Sequence, residues 1–169
     1  MLRWYLPAGE PEIPAEPRGV VVVTGGNLGG AIISVPLVRA VRARFPRSHL
    51  AVVSNTRSGR ELMELAGVGD SFHTLPEGAL RSRGGLRGYA ATLRRLRAAR
   101  PEVMVSNFDS QVDHLLAPLR IPVRVGHAGR RATGGDLLWQ HTLNVPVPVD
   151  TGTNWLESYR RLAERIGAP

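Results

Sequence analysis

The chain has 169 residues, 43% of them hydrophobic, a formal net charge of +8 and no cysteine. These totals exclude disulfides, zinc–thiolate sites, iron–sulfur clusters and thiol chemistry, and no apolar run approaches the roughly 20 residues of a membrane span. With no lysine present, all 22 basic residues are arginine, whose forked guanidinium favours phosphate or carboxylate partners, although an arginine-biased genome yields the same composition.

Residues 1–18 are rich in proline and glutamate (Pro7, Pro11, Pro14, Pro17) and show no regular period. They read as an extended arm, with Trp4, Tyr5 and Leu6 as side chains able to dock. The opening lacks the basic region, apolar core and cleavage site of a signal peptide, so a cytoplasmic protein is expected. Residues 19–169 read as one Rossmann-like domain.

Four consecutive valines, Val20 to Val23, predict a strand buried on both faces. A glycine turn follows (Gly25, Gly26, Asn27, Leu28, Gly29, Gly30), then a helix with Leu37, Val38, Val41 and Phe45 at helical spacing. Pro36 suits the first turn of that helix, where a missing N–H costs nothing. His49–Ser54 predicts strand two. Ser58–Leu65 predicts a short helix with Leu62 and Leu65 inward and Gly67 as its stop. Ser71–Leu75 is strand three, and the link 77–85 is polar. Leu86, Tyr89, Ala90, Leu93 and Leu96 then stripe a stronger helix that ends at Pro101.

Val103–Asn107 is strand four. A helix over Ser110–Leu119 follows, and Pro122–Gly126 is strand five. Residues 127–136 read as a polar loop, and 137–149 as an irregular or edge segment broken by Pro146 and Pro148. The last helix opens at Asn154 with Glu157 as a capping box, and turns Leu156, Tyr159, Leu162 and Ile166 inward. Alternating strands and helices give the fold class: α/β, a doubly wound parallel sheet. In the order 3-2-1-4-5, strands one and four meet at the switch point, where such sheets bind ligands. The crevice then lies between the 25–31 loop and Phe108-Asp109-Ser110.

The glycines do not fit G-x-G-x-x-G, and strand two ends in Ser54-Asn55 without an acidic residue, so a dinucleotide is disfavoured. A Walker loop needs lysine, and there is none. What remains is a turn whose N–H groups at a helix start suit an anion or a sugar hydroxyl. Close packing of strand and helix also explains glycines there.

Several segments together resemble the N-terminal half of the family-nine glycosyltransferases, the ADP-heptose:lipopolysaccharide heptosyltransferases. They are VVVVTGGNLGGAIISVPLVRAVRARFP (20–46), the Leu- and Arg-rich helix 86–99, VMVSNFDS, PVRVGH and the closing TNWLESYRRLAERIG. The resemblance spans nearly everything after residue 18. It implies one domain of a two-domain GT-B enzyme that moves a sugar, with inversion, from an ADP-heptose-like nucleotide-sugar to a hydroxyl. The acceptor would be sugar-bearing or lipid-linked, and no further cofactor is implied. The donor-binding C-terminal domain of that architecture is expected outside this chain, as a companion domain or polypeptide.

One departure stands out. The family's turn ends Leu-Gly-Asp, its aspartate serving as general base; that position is Gly30 here, which cannot accept a proton. Asp109 is the candidate substitute base, since its loop borders the same crevice, and Asp113 is a weaker choice. The acceptor-side candidates are Gly25, Gly26, Asn27 and Gly29 in the turn, with Arg57, Arg60, Arg130 and Arg131 for an anionic acceptor. Asp109, Asp113 and His114 lack a second ligand pair at metal spacing, so no metal is expected. Aromatics are only 5%, which argues against nucleic acid. Arg94, Arg95, Arg97 and Arg100 read as the wet face of a helix that can rest on anionic lipid, a peripheral contact with the membrane's inner face. The alternative to an enzyme is an inert binding or partner domain that kept the fold and lost the base.

Overall fold

The computed structural model describes residues 10–25, 27–76, 78–107, 112–128, 142–149 and 152–169. Six strands make one sheet: β1 Gly19–Thr24, β2 His49–Ser54, β3 Ser71–Thr74, β4 Pro101–Ser106, β5 Val123–Ala128 and β6 Val145–Pro148. Their order is β3-β2-β1-β4-β5-β6, and every pairing is parallel. The direction of winding reverses between β1 and β4, in register from Val20 opposite Val103 to Val23 opposite Ser106.

Alternation sends successive strand residues to opposite faces. Val20, Val22, Leu50, Val52, Val103 and Val105 meet helices α1 (Leu28–Arg44), α2 (Arg57–Ala66) and α5 (Trp155–Arg165) on one side. Val21, Val23, Ala51, Val53 and Met104 meet α3 (Arg83–Ala98) and the short α4 (Val112–Leu115) on the other. With both faces covered, the four valines of β1 are fully buried. The expected α/β doubly wound parallel sheet is what the chain forms.

Several local expectations need correction. Of the irregular or edge segment expected over 137–149, residues 145–148 form the edge alternative, a sixth parallel strand. Val145 and Val147 face the core while Pro146 and Pro148 face outward, and an edge strand tolerates proline because its outer N–H groups have no ladder partner. Pro36 lies inside α1, which starts eight residues earlier at Leu28; its missing N–H leaves the Ile32 carbonyl without that helical bond. Leu65 and Leu156 are exposed, at 88% and 63%, and Met63 takes the buried position on α2. The helix expected over 110–119 appears in the described part as α4 and a 3-10 turn, Ala117–Leu119, which carries Pro118 near its start.

Residues 10–18 lie along the α1–α5 side. Ile13 packs on the core, the Ala15 carbonyl accepts from Arg44 at 3.0 Å, and the Pro17 carbonyl accepts from Ser48 Oγ at 2.5 Å. Glu10 pairs with Arg165 of α5. Asn154 caps α5 as expected, accepting from the Glu157 N–H at 2.8 Å. The Glu157 carboxylate turns instead to Arg160 and Arg161, whose hydrogen bonds pull it down to about 2.

Candidate functional site

At their carboxyl ends the central strands change from valine to hydroxyl and amide side chains. Thr24, Ser54, Ser106 and Asn107 are all buried there. Thr24 and Ser54 join across β1 and β2 through their hydroxyls, 2.7 Å apart. Ser106 Oγ donates to Asp113 at 2.9 Å on the α4 side. Asn107 continues β4, and its backbone N–H donates to the Val23 carbonyl at 3.2 Å. These contacts seat a polar layer directly at the switch point.

The α1 N-terminus closes this layer. Asn27 is the N-cap: its side chain accepts from the Gly30 N–H at 2.6 Å, and its carbonyl accepts from Ala31 at 2.9 Å. Such a cap satisfies one of the free first-turn N–H groups, and the helix end keeps a partial positive charge. The first turn holds no acidic residue. One turn further on, Ser34 Oγ donates to the Gly30 carbonyl at 2.5 Å and accepts from the Asn107 side-chain amide. A continuous chain of contacts thus runs from the end of β4 into the first turn of α1.

Gly25 is buried, and a side chain on it would meet the backbone of Gly30. Gly29 is exposed and Gly30 half-buried. The described turn therefore brings together Gly25, Asn27, Gly29 and Gly30, as the spacing suggested. Arg57 and Arg60 stand on the first turn of α2, beyond β2. They are engaged along their own helix, Arg57 with Glu61 at 2.7 Å and Arg60 with Glu64 at 2.8 Å. The Arg57 hydrogen bond holds Glu61 below its usual carboxylate value. Such surface pairs contribute little to stability. Gly26, Asp109, Arg130 and Arg131 lie outside the described residues.

Asp113 is the carboxylate that the structure places beside the end of β4, 6% exposed and held by Ser106. Its neighbour His114 is half-buried, and burial lowers its pKa. Tyr89 of α3 donates its hydroxyl to the Leu115 carbonyl at 2.9 Å, which ties α4 to α3. Among the described residues no three His, Asp or Glu side chains gather as a metal would require, and no helix is long and apolar enough to cross a membrane.

Sequence reading passed over Ser34 and Asn107. The signal for Asn107 was available, as the first amide after an apolar strand run at the switch point. Ser34 carried none, because a serine inside a helix usually bonds back to its own turn. Asn27, three residues ahead of Gly30 and just before a helical run, had the spacing of an N-cap.

No family model matches the chain, and no curated protein matches it either. A solved structure does: a glycosyl transferase family 9 protein from Veillonella parvula DSM 2008, with a TM-score of 0.71 and 17% sequence identity. The match covers 95% of this chain and 44% of that one, so the chain spans less than half the length of its structural neighbour. The likeness is one of fold: the chain forms a Rossmann-like α/β domain similar in fold to part of that glycosyl transferase family 9 structure.

Proposed function

We propose that the chain is the acceptor-binding half of a family-nine-like glycosyltransferase. It would work with a donor-binding domain supplied from outside residues 1–169. The reaction is inverting transfer of a heptose or similar sugar, from an ADP-heptose-like donor, to a hydroxyl of a sugar-bearing or lipid-linked acceptor. The observation that carries this reading is the fold match over nearly the whole chain, in a sheet whose switch point holds the N-terminus of α1.

In this mechanism the acceptor hydroxyl lies against the α1 N-terminus and loses its proton as it attacks the anomeric carbon. The nucleotide diphosphate leaves from the opposite face and is stabilised by the donor domain. Asp109 is the proposed base, with Asp113 the weaker choice. The pairing of Asp113 with Ser106 suits it better to orienting the end of β4.

A second reading has its own observation. No carboxylate stands in the first turn of α1, where the resembled family has its aspartate and this chain has Gly30. On that reading the chain is an inert partner domain. Transfer measured with and without a donor-binding partner separates the two, and Asp109→Asn in a transfer-competent assembly tests the base. The enzymatic reading expects transfer to fall by about a hundredfold or more, the usual contribution of a general base. Unchanged turnover removes Asp109 as the base.

A further inference from the structure

We propose that the side-chain amide of Asn107 is the group that recognises the acceptor, by hydrogen bonding to one of its sugar hydroxyls. This rests on the acceptor-side reading and names the residue that would carry it.

Asn107 is fully buried at the switch point. One end of its amide is used, donating from Nδ2 to Ser34 Oγ. The other end, Oδ1, is buried without a hydrogen-bond partner among the described residues. Buried polar atoms in folded proteins are almost always paired, so an orphan at this position needs an explanation. The buried hydroxyls of the same layer are paired, Thr24 with Ser54 and Ser106 with Asp113. The orphan also adjoins a helix N-terminus. Ser34, which holds the amide, bonds in turn to Gly30 in the first turn of α1.

The chemistry of the missing partner follows from the amide. Oδ1 needs a donor. Turning the amide over would put oxygen toward Ser34 and leave the NH2 group without an acceptor, so one polar end stays unfilled in either orientation. A hydroxyl both donates and accepts, and it satisfies both cases. A phosphate or carboxylate only accepts, so it suits the turned-over amide alone. A hydroxyl is the group that fits both orientations, as a glycosyl acceptor would supply. The amide is closed to solvent, so binding requires local opening at the end of β4.

The test is a nuclear magnetic resonance titration of the full chain with methyl α-mannoside and a methyl heptoside. The side-chain NH2 signals of Asn107 and the backbone amides of Gly25, Asn27 and Gly29 are followed together. The expected result is that both sets shift, and that Asn107→Leu, which keeps volume and removes both polar ends, weakens binding about tenfold, the worth of one hydrogen bond. Turn amides that shift while the Asn107 NH2 stays still would overturn the proposal without needing the variant. So would Asn107→Leu binding as the wild type does, and either result leaves the acceptor-side reading standing. Glycosides that shift neither set would overturn both.

Discussion

Gly25 and Gly30 lie backbone against backbone across the turn from β1 to α1. A Cβ built on Gly25 stands 3.0 Å from Gly30 Cα, and one built on Gly30 stands 3.3 Å from Gly25 Cα. Neither is among the glycines with positive φ, which in the described residues are Gly67 and Gly167. Glycine is needed in this pair for close approach, not for a left-handed backbone. The helix N-terminus is thereby drawn down onto the end of β1, where it meets Asn107.

The three glycines should therefore differ on substitution. Gly25→Ala overpacks rigid backbone and should cost about 1–3 kcal/mol. Gly30→Ala should be nearly neutral, since better helix propensity offsets a milder crowding. Gly29→Ala, whose Cβ would find only Asn27 Oδ1 at an ordinary 3.5 Å, should stabilise by up to about 1 kcal/mol. Urea unfolding measures all three. A Gly25→Ala protein as stable as Gly29→Ala would contradict the packing described.

Gly30→Asp puts a carboxylate into the first turn of α1. The helix end favours negative charge there by about 0.3–1 kcal/mol, while the new Cβ stands 3.2 Å from Asn27 Oδ1 and crowds the cap. The variant should fold, with a melting temperature within a few degrees of the parent. In an assembly that has a donor domain, it should raise transfer. No gain in such an assembly would count against heptosyltransferase geometry at this turn.

Asp70 fastens α1 to the sheet. Its carboxylate accepts from the Leu50 N–H at 2.7 Å and from Arg42 at 2.5 Å. Burial pushes the carboxyl up, but the Leu50 and Arg42 hydrogen bonds and nearby positive charge outweigh it and hold the pKa below the ordinary 3.8. Its contribution is thus complete above that value and fades as pH falls through the lowered one. Asp70→Ala should lose about 1–2 kcal/mol at neutral pH. Asp70→Asn, which keeps an acceptor for Leu50, should lose less. Equal stability of all three proteins would rule the clamp out.

Two histidines make stability depend on mild acid. Burial lowers the pKa of His73, helped by Arg95 and His49, and burial also lowers that of His114, each from an ordinary 6.5. The unfolded chain then takes up protons that the folded chain refuses, so stability falls as pH drops below about 6.5. Melting temperatures from pH 7.5 to 5.0 should decline, and the His73→Gln, His114→Gln double variant should flatten the slope. A wild-type curve that is flat or rising toward pH 5 would contradict this.

Much of the fold was legible because its signals are local and strong. Val20–Val23, the alternating apolar runs and Asn154 each specify an element through period or capping. The strand order also followed, since β1 and β4 meet wherever such a sheet reverses. Other features depend on partners far away in the chain. The β6 strand was obscured by Pro146 and Pro148, whose outward placement is decided by the sheet edge. Leu65 and Leu156 sit at helical spacing yet face out, because no neighbouring element covers those angles. In the site, the glycine turn between β1 and α1 was readable. The Ser34–Asn107 bridge was not, because it joins residues 73 positions apart.

The central claim is that this domain needs a donor-binding partner to transfer sugar. The most direct measurement is transfer of labelled sugar from an ADP-sugar by the chain isolated from its native extract at low salt. The same assay is run after a high-salt wash and again after the washed-off fraction is returned. Transfer in the first and third samples, and none in the second, is the expected result. Transfer by the washed chain alone, or none in any sample, would contradict the claim.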